Sequence, residues 1–357
     1  MILRIKNIIN LLEKDRLNYV GIFLFIIIIG TLRKYLESIF IYENLEINIG
    51  SYTSMIFTEL SAFLCGVLIL AYFSKTKVKK VMNIGIFVIW LMILPPILDV
   101  FVFDTSPNLV YERNKLLDPE TLSEILTFGV PTNYSPGIST IGVVLILSTF
   151  LYLFVKNRTI LKTVLGTMIF YILCLFFAGQ AYTPLTTGLS IFLANGLRPL
   201  IICLFFALAI MYRENKKLAI NIIKSKENLK TIAFIILCIV GIVIGENYGH
   251  PTVYLSSIVT RILAIIFISQ FNIVLWDLIS NRIKNPVKQG LINKKVYIQY
   301  AIILAILSLI TGIIMGDIIF LSIILIGLFI GLLNFFSKKN IISTGLLTVI
   351  AFLIGYI

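Results

Sequence analysis

The chain has 357 residues, 59% hydrophobic and 13% charged, with a mean hydropathy of +1.02. Soluble domains are about 45–50% apolar and about 25% charged, so a water-facing exterior is excluded and a polytopic membrane protein is implied. The formal net charge of +13 then reports first on orientation in the membrane, and no nucleic-acid partner is expected.

Residues 2–12 read as a basic amphipathic helix lying on the membrane surface. They lack the separate apolar core and small-residue cleavage site of a secretion signal. Eleven apolar runs follow, at 19–42, 54–74, 81–103, 137–155, 163–180, 187–212, 231–246, 252–278, 296–314, 318–336 and 340–357, each near the length of one bilayer crossing. The expected fold class is all-α, a polytopic transmembrane helix bundle of eleven spans. Its expected organisation is an amphipathic segment 1–18, a six-helix unit 19–212, a basic linker 213–230 and a five-helix unit 231–357.

All Lys and Arg except Arg33, Lys34, Arg113, Lys115, Arg198 and Arg261 fall at the N-terminus or in alternate loops. The positive-inside rule places those loops and the N-terminus in the cytoplasm and the C-terminus outside. The protein is expected in the cell membrane. The connection 104–136 is then external. Within it, Asp118-Pro119-Glu120 starts a short helix with Leu122, Ile125 and Leu126 on its apolar side. Gly129 to Gly137 reads as a turn-rich return into the membrane. Cys65, Cys174, Cys203 and Cys238 lie in apolar runs without metal or disulfide spacing. His250 is the single histidine, which excludes a His-based metal centre and a Ser–His nucleophile pair.

Charges at membrane depth are costly and mark candidate sites. Arg33, Lys34 and Glu37 lie in the first run, Glu59 in the second, Asp99 in the third and Arg198 in the sixth. Arg33 and Glu37 are i,i+4 neighbours able to pair. The cluster reads either as an ion-pair network holding helices together or as an outward-facing cavity for an anionic or lipid headgroup. Pro95-Pro96 breaks the third run just before Asp99, and Arg261 reads as a snorkelling or pairing residue.

The most informative stretch is 271–292. An apolar helix ends there with Asp277 and Asn281 one turn apart on one face, a spacing able to hold Mg²⁺. Arg282, Lys284 and Lys288 follow, placed to contact diphosphate. The alternative is a helix end, a proline turn and positive-inside lysines. Asp277-x-x-x-Asn281 followed by Asn285-Pro286-Val287-Lys288-Gln289-Gly290-Leu291-Ile292 resembles the first Asp-rich motif of the UbiA prenyltransferase superfamily and its downstream turn. Pro286, Val287, Gly290 and Ile292 fall in register, and Asn334 to Lys339 occupy the place of a basic cytoplasmic turn. Ile273 and Val274 stand where the family has Asn-Asp, Asn281 where it has its last Asp, and Asn285 where it has Arg. In this register the second Asp-rich motif falls beyond residue 357. The resemblance covers roughly residues 228–357. It implies Mg²⁺-assisted transfer of an isoprenyl group from a diphosphate donor to a membrane acceptor. Two other functions stay open. One is a non-catalytic protein that binds a membrane lipid or isoprenoid, or assembles with membrane proteins or copies of itself. The other is a transporter or flippase of a lipid-linked or small anionic substrate.

Overall fold

A computed structural model describes the chain except residues 1, 15, 41–48, 104–134, 158, 182–188, 224–227, 248–254, 280–285 and 338–340. The described residues form helices and no strands. In chain order these are α1 (Ile2–Leu12), α2 (Tyr19–Phe40), α3 (Ile49–Ser74), α4 (Val78–Leu91), α5 (Leu94–Phe101), α6 (Pro136–Asn157) and α7 (Ile160–Ala181). They continue with α8 (Leu189–Glu214), α9 (Lys216–Ile223), α10 (Asn228–Asn247), α11 (Leu255–Ile279), α12 (Lys294–Met315), α13 (Ile318–Ser337) and α14 (Ile341–Tyr356).

Among the described residues, 7 helical stretches are long and apolar enough to cross a bilayer: Tyr19–Ile39, Met55–Ser74, Val78–Phe101, Pro136–Asn157, Ser257–Ile279, Lys294–Met315 and Ile318–Phe336. Ile160–Leu173, Lys230–Gly245 and Gly345–Tyr356 are shorter apolar helical stretches. The outer surface is apolar as well, with Ile28, Leu147, Leu161, Phe205, Val243, Ile326 and Phe329 all exposed. Lipid satisfies such side chains, while helices satisfy the backbone internally. This is the construction of an integral, multi-pass membrane protein.

The third apolar run is divided into α4 and α5. Met92 N–H donates to Ile89 O at 2.9 Å and Ile93 N–H to Trp90 O at 3.3 Å, tightening the end of α4. Pro95 and Pro96 then occupy the first turn of α5, where a missing N–H leaves no intrahelical bond unmade.

The chain divides into two compact units, Met1–Leu185 with Arg198–Ile210, and Thr186–Leu197 with Met211–Ile357. In the first, α3 packs against α2, α4, α6 and α7, while α5 lies on α2 and α6. Helix α1 docks on α4 and α6, seating Ile9 against Tyr152 and Leu153. Its apolar side is split, because Ile8 and Leu11 remain exposed.

In the second unit α11 is central, touching α10, α12, α13 and α14. Small residues let the backbones approach, as is usual in lipid. A Cβ on Gly241 would lie 2.4 Å from Phe352 O, and one on Gly355 would lie 2.0 Å from Cys238 O, so α10 and α14 meet backbone to backbone. Arg261, buried, donates through Nη1 to Gly355 O near the end of α14. That favourable placement of a cation against helix-terminal carbonyls gives Arg261 a buried pairing role.

Candidate functional site

In the first unit, four of the charges singled out in the sequence come together. Arg33 Nε donates to Glu37 Oε1 at 3.1 Å within α2, and Arg33 Nη1 donates to Glu59 Oε1 at 3.0 Å across to α3. Lys34 Nζ lies 3.7 Å from Glu37 Oε2. Glu37 is fully enclosed, and the Glu59 side chain is 10% exposed. Gly30 makes room for this arrangement, since a Cβ there would lie 2.7 Å from Glu59 Oε2. Two bases and two acids compensate one another, as burial demands.

Asp99 meets a different partner. Its Oδ1 accepts from Gly137 N–H at 2.6 Å, so a buried carboxylate sits at the positive N-terminal end of α6. Glycine is required at 137, because a Cβ would lie 2.4 Å from Pro95 O and 2.8 Å from Asp99 Oδ1. The side chain of Arg198 lies outside the described residues; its neighbour Pro199 accepts a hydrogen bond from Ser61 Oγ at 3.0 Å.

Beside the ion pairs is a mainly apolar, partly open cavity of ≈ 120 Å³ among α2, α3, α4, α6 and α7. Glu59 and Met92 line it, as do Leu70 and Tyr152. The step from Glu59 to Leu70 along α3 is roughly 16 Å at 1.5 Å per residue. Gly66 and Gly85, in its lining, seat aromatic rings: Cβ atoms there would lie 2.9 Å from the Phe170 ring and 2.3 Å from the Phe63 ring.

Tyr152 also belongs to a second polar cluster, which sequence reasoning missed. Its hydroxyl lies 3.4 Å from both Glu13 Oε1, to which it donates, and Thr76 Oγ1, whose own hydroxyl can donate in return. Glu13, buried just past α1, is ion-paired with Lys156 and, at 3.9 Å, with Lys80. No spacing rule joins residue 13 to residue 156. The available signal was a pair of acids, Glu13 and Asp15, among the bases of the N-terminal segment.

In the second unit, Asp277 stands near the end of α11 and its Oδ2 accepts from Tyr297 Oη of α12 at 3.0 Å. Tyr297 in turn stacks on Tyr300, with ring centroids 6.4 Å apart. Further along α11, Asn272 is buried and donates to Ile268 O at 2.8 Å and Gly327 O at 3.5 Å. It occupies the space left by Gly331, where a Cβ would lie 2.8 Å from Asn272 Oδ1. Ser269 and Gln270 both reach Thr231 Oγ1 on α10, at 3.1 and 3.2 Å. The register with the UbiA motif gave Asn272 no role, and Tyr297 carried no local signal.

Asn281, Arg282, Lys284 and Asn285 lie outside the described residues. Lys288 is exposed on a turn in which Leu291 N–H donates to Pro286 O at 3.0 Å and Gly290 N–H to Val287 O at 3.2 Å. Gly290 has φ 67°, a left-handed conformation that suits glycine. Asn293 then caps α12, its side chain accepting from Lys295 N–H at 3.0 Å. Mg²⁺ is often held by one or two carboxylates plus substrate phosphates. Asp277 supplies one carboxylate, already bonded to a phenol, and among the described residues no three His, Cys, Asp or Glu side chains form a metal site. The described donor set is therefore short of a metal cage. No protein family model, curated protein or solved structure matches the chain.

Proposed function

We propose that the chain is a multi-pass protein of the cell membrane, crossing it eleven times with its N-terminus in the cytoplasm and its C-terminus outside. On this reading its second unit is built on the UbiA plan. It binds a membrane lipid or isoprenoid with a phosphate or diphosphate headgroup where α11 reaches the cytoplasm. The observation that carries the proposal is the Tyr297–Asp277 hydrogen bond. It ties the end of α11 to α12 and gives Asp277 a protein partner, while the stretch that follows carries three bases in sequence, Arg282, Lys284 and Lys288, against that one acid. Such a basic rim attracts anionic headgroups.

Labelled geranylgeranyl diphosphate, offered to purified protein in nanodiscs with and without Mg²⁺, tests this reading. Saturable binding is expected, weakened about tenfold or more in Arg282→Ala/Lys288→Ala, since bonds to charged groups are strong. Binding that is absent, or unchanged in that variant, overturns the proposal.

A second reading is isoprenyl transfer, supported by the Pro286, Val287, Gly290 and Ile292 register and by the left-handed Gly290. It requires Mg²⁺-dependent release of diphosphate that is lost in Asp277→Ala; binding without release leaves the binding function standing. Transport has less support, because four of the six charges that motivated it, Arg33, Lys34, Glu37 and Glu59, pair with one another, and Asp99 is bonded to Gly137 N–H.

A further inference from the structure

The described contacts that fasten α1 lie at one end of the first unit. Glu13 reaches Lys80 in the first turn of α4 and Lys156 in the last turn of α6. Ile9 and Ile5 pack near Tyr152, Leu153 and Val155, close to the same end of α6. Both Val78–Phe101 and Pro136–Asn157 are long and apolar enough to cross a bilayer. Helix α1 therefore sits where those spans leave the hydrocarbon.

Only part of its apolar side is used there. At about 100° per residue, Ile5 lies within about 40° of the docked Ile9. Ile8 stands about 100° and Leu11 about 160° round from Ile9 in the same direction, with Arg4 between them. Ile8 is 57% and Leu11 52% exposed, and Arg4 is exposed as well. Two large apolar side chains around a base suit the boundary between headgroups and acyl chains, where an arginine stem stays in apolar surroundings and its head among headgroups. Ile160 and Leu161, at the start of α7, add exposed apolar surface at this end.

Charge selects the kind of lipid. Arg4, Lys6, Lys14 and Arg16 are exposed, Arg16 also lying over the Phe87 ring. The acids of the segment are Glu13, turned inward onto Lys156 and Lys80, and Asp15, outside the described residues. Lys75, Lys77 and Lys162 are exposed at the same end, and neither 74–80 nor 155–163 contains an acid. An anionic surface gains about fivefold in affinity for each base held close to it.

We infer that the outward edge of α1 is a docking site for anionic phospholipid. Arg4 meets the phosphate, Lys6 and Lys14 add to the attraction, and Ile8 and Leu11 enter the acyl-chain layer. The sequence implies a helix at the membrane surface; the docked Ile9 adds which edge is left for lipid, and the inward Glu13 adds which lipid that edge takes. The site concerns the first unit alone. It is independent of the headgroup reading at Asp277 and of which side of the bilayer α1 occupies.

The test places a bimane fluorophore on Ile8→Cys in a Cys174→Ser background of the full-length protein, where Cys65, Cys203 and Cys238 are buried. Single copies are held in phosphatidylcholine nanodiscs containing a minor fraction of lipid with brominated chains, either phosphatidylglycerol or phosphatidylcholine. Bromine quenches the probe on contact. Brominated phosphatidylglycerol is expected to quench as though at least about fivefold enriched beside position 8. The enrichment should fall to near parity in Arg4→Gln/Lys6→Gln/Lys14→Gln and shrink in high salt. A probe on Ile326→Cys, at an exposed position of α13, should show none. Equal quenching by the two lipids at position 8, or an enrichment no greater than at position 326, overturns the proposal. So does a probe at position 8 that neither lipid quenches, the outcome expected if protein, a second copy included, covers this edge. If the triple variant does not fold, the comparison of the two probe positions and its salt dependence decide the matter.

Discussion

Arg33 shows how much rests on one side chain. Its guanidinium serves two buried carboxylates at 3.1 and 3.0 Å, so Arg33→Met leaves both without their main partner. The expected loss is about 3–5 kcal/mol, read from denaturant unfolding in detergent. Replacing Arg33, Lys34, Glu37 and Glu59 together by apolar residues of similar size should cost far less, or even stabilise. A quadruple variant as weak as Arg33→Met would show that the pairs contribute net stability. At Asp277, Tyr297→Phe removes a hydrogen bond to a carboxylate and should cost about 1.5–3 kcal/mol in the same measurement. Only part of this was legible beforehand. Helical spacing joins Arg33 to Glu37, but Glu59 lies 26 residues from Arg33 and Tyr297 20 residues from Asp277. Tertiary packing alone brings those partners together.

At the scale of single helices, glycines divide into those that permit contact and those that do not. Gly355→Ala would drive a methyl group to 2.0 Å from Cys238 O, and overpacking of this kind costs about 1–3 kcal/mol or more. Gly290→Ala meets no neighbour within 4 Å but keeps a positive φ, at a cost of about 1–2 kcal/mol. Gly142, in the middle of α6, also meets nothing within 4 Å. There Gly142→Ala should stabilise by roughly 0.5–1 kcal/mol. Thermal unfolding of the three variants should therefore give two losses and one gain; a loss at Gly142 would refute the open-space reading. The helices were readable as apolar runs because the bilayer fixes their length and backbone bonding. The contacts of each glycine were not, since they depend on which face meets which neighbour. The proline pair announced a break, and the structure places it before Pro95, so that α5 begins with the prolines.

For the whole molecule, composition revealed the membrane class, and the alternation of charged loops supplies an orientation that can be tested directly. Lys77, Lys162 and Lys288 are exposed, whereas Cys65, Cys203 and Cys238 are buried and should react slowly. In a Cys174→Ser background, single cysteines at 77, 162 and 288 should react with an impermeant maleimide only from the cytoplasmic side. A cysteine at 115 should react only from outside. The reverse pattern, or a mixture at the three lysine positions, would overturn the eleven-span topology. Internal space was harder to read than topology. The cavity at Glu59 arises from five helices, and two rings of its lining, Phe170 and Phe63, are seated on Gly66 and Gly85, which look unremarkable in sequence.

The clamp on α1 has a consequence for how the protein is made. Tyr152, which holds Glu13 from α6, lies 139 residues further along the chain, and the paired Lys156 lies further still. At ordinary synthesis rates that separation is about 7 to 28 s. During that interval α1 and α4 have emerged, with Lys80 able to reach Glu13, but the helix that carries Tyr152 and Lys156 does not yet exist. The docking of α1 is therefore completed only when α6 arrives.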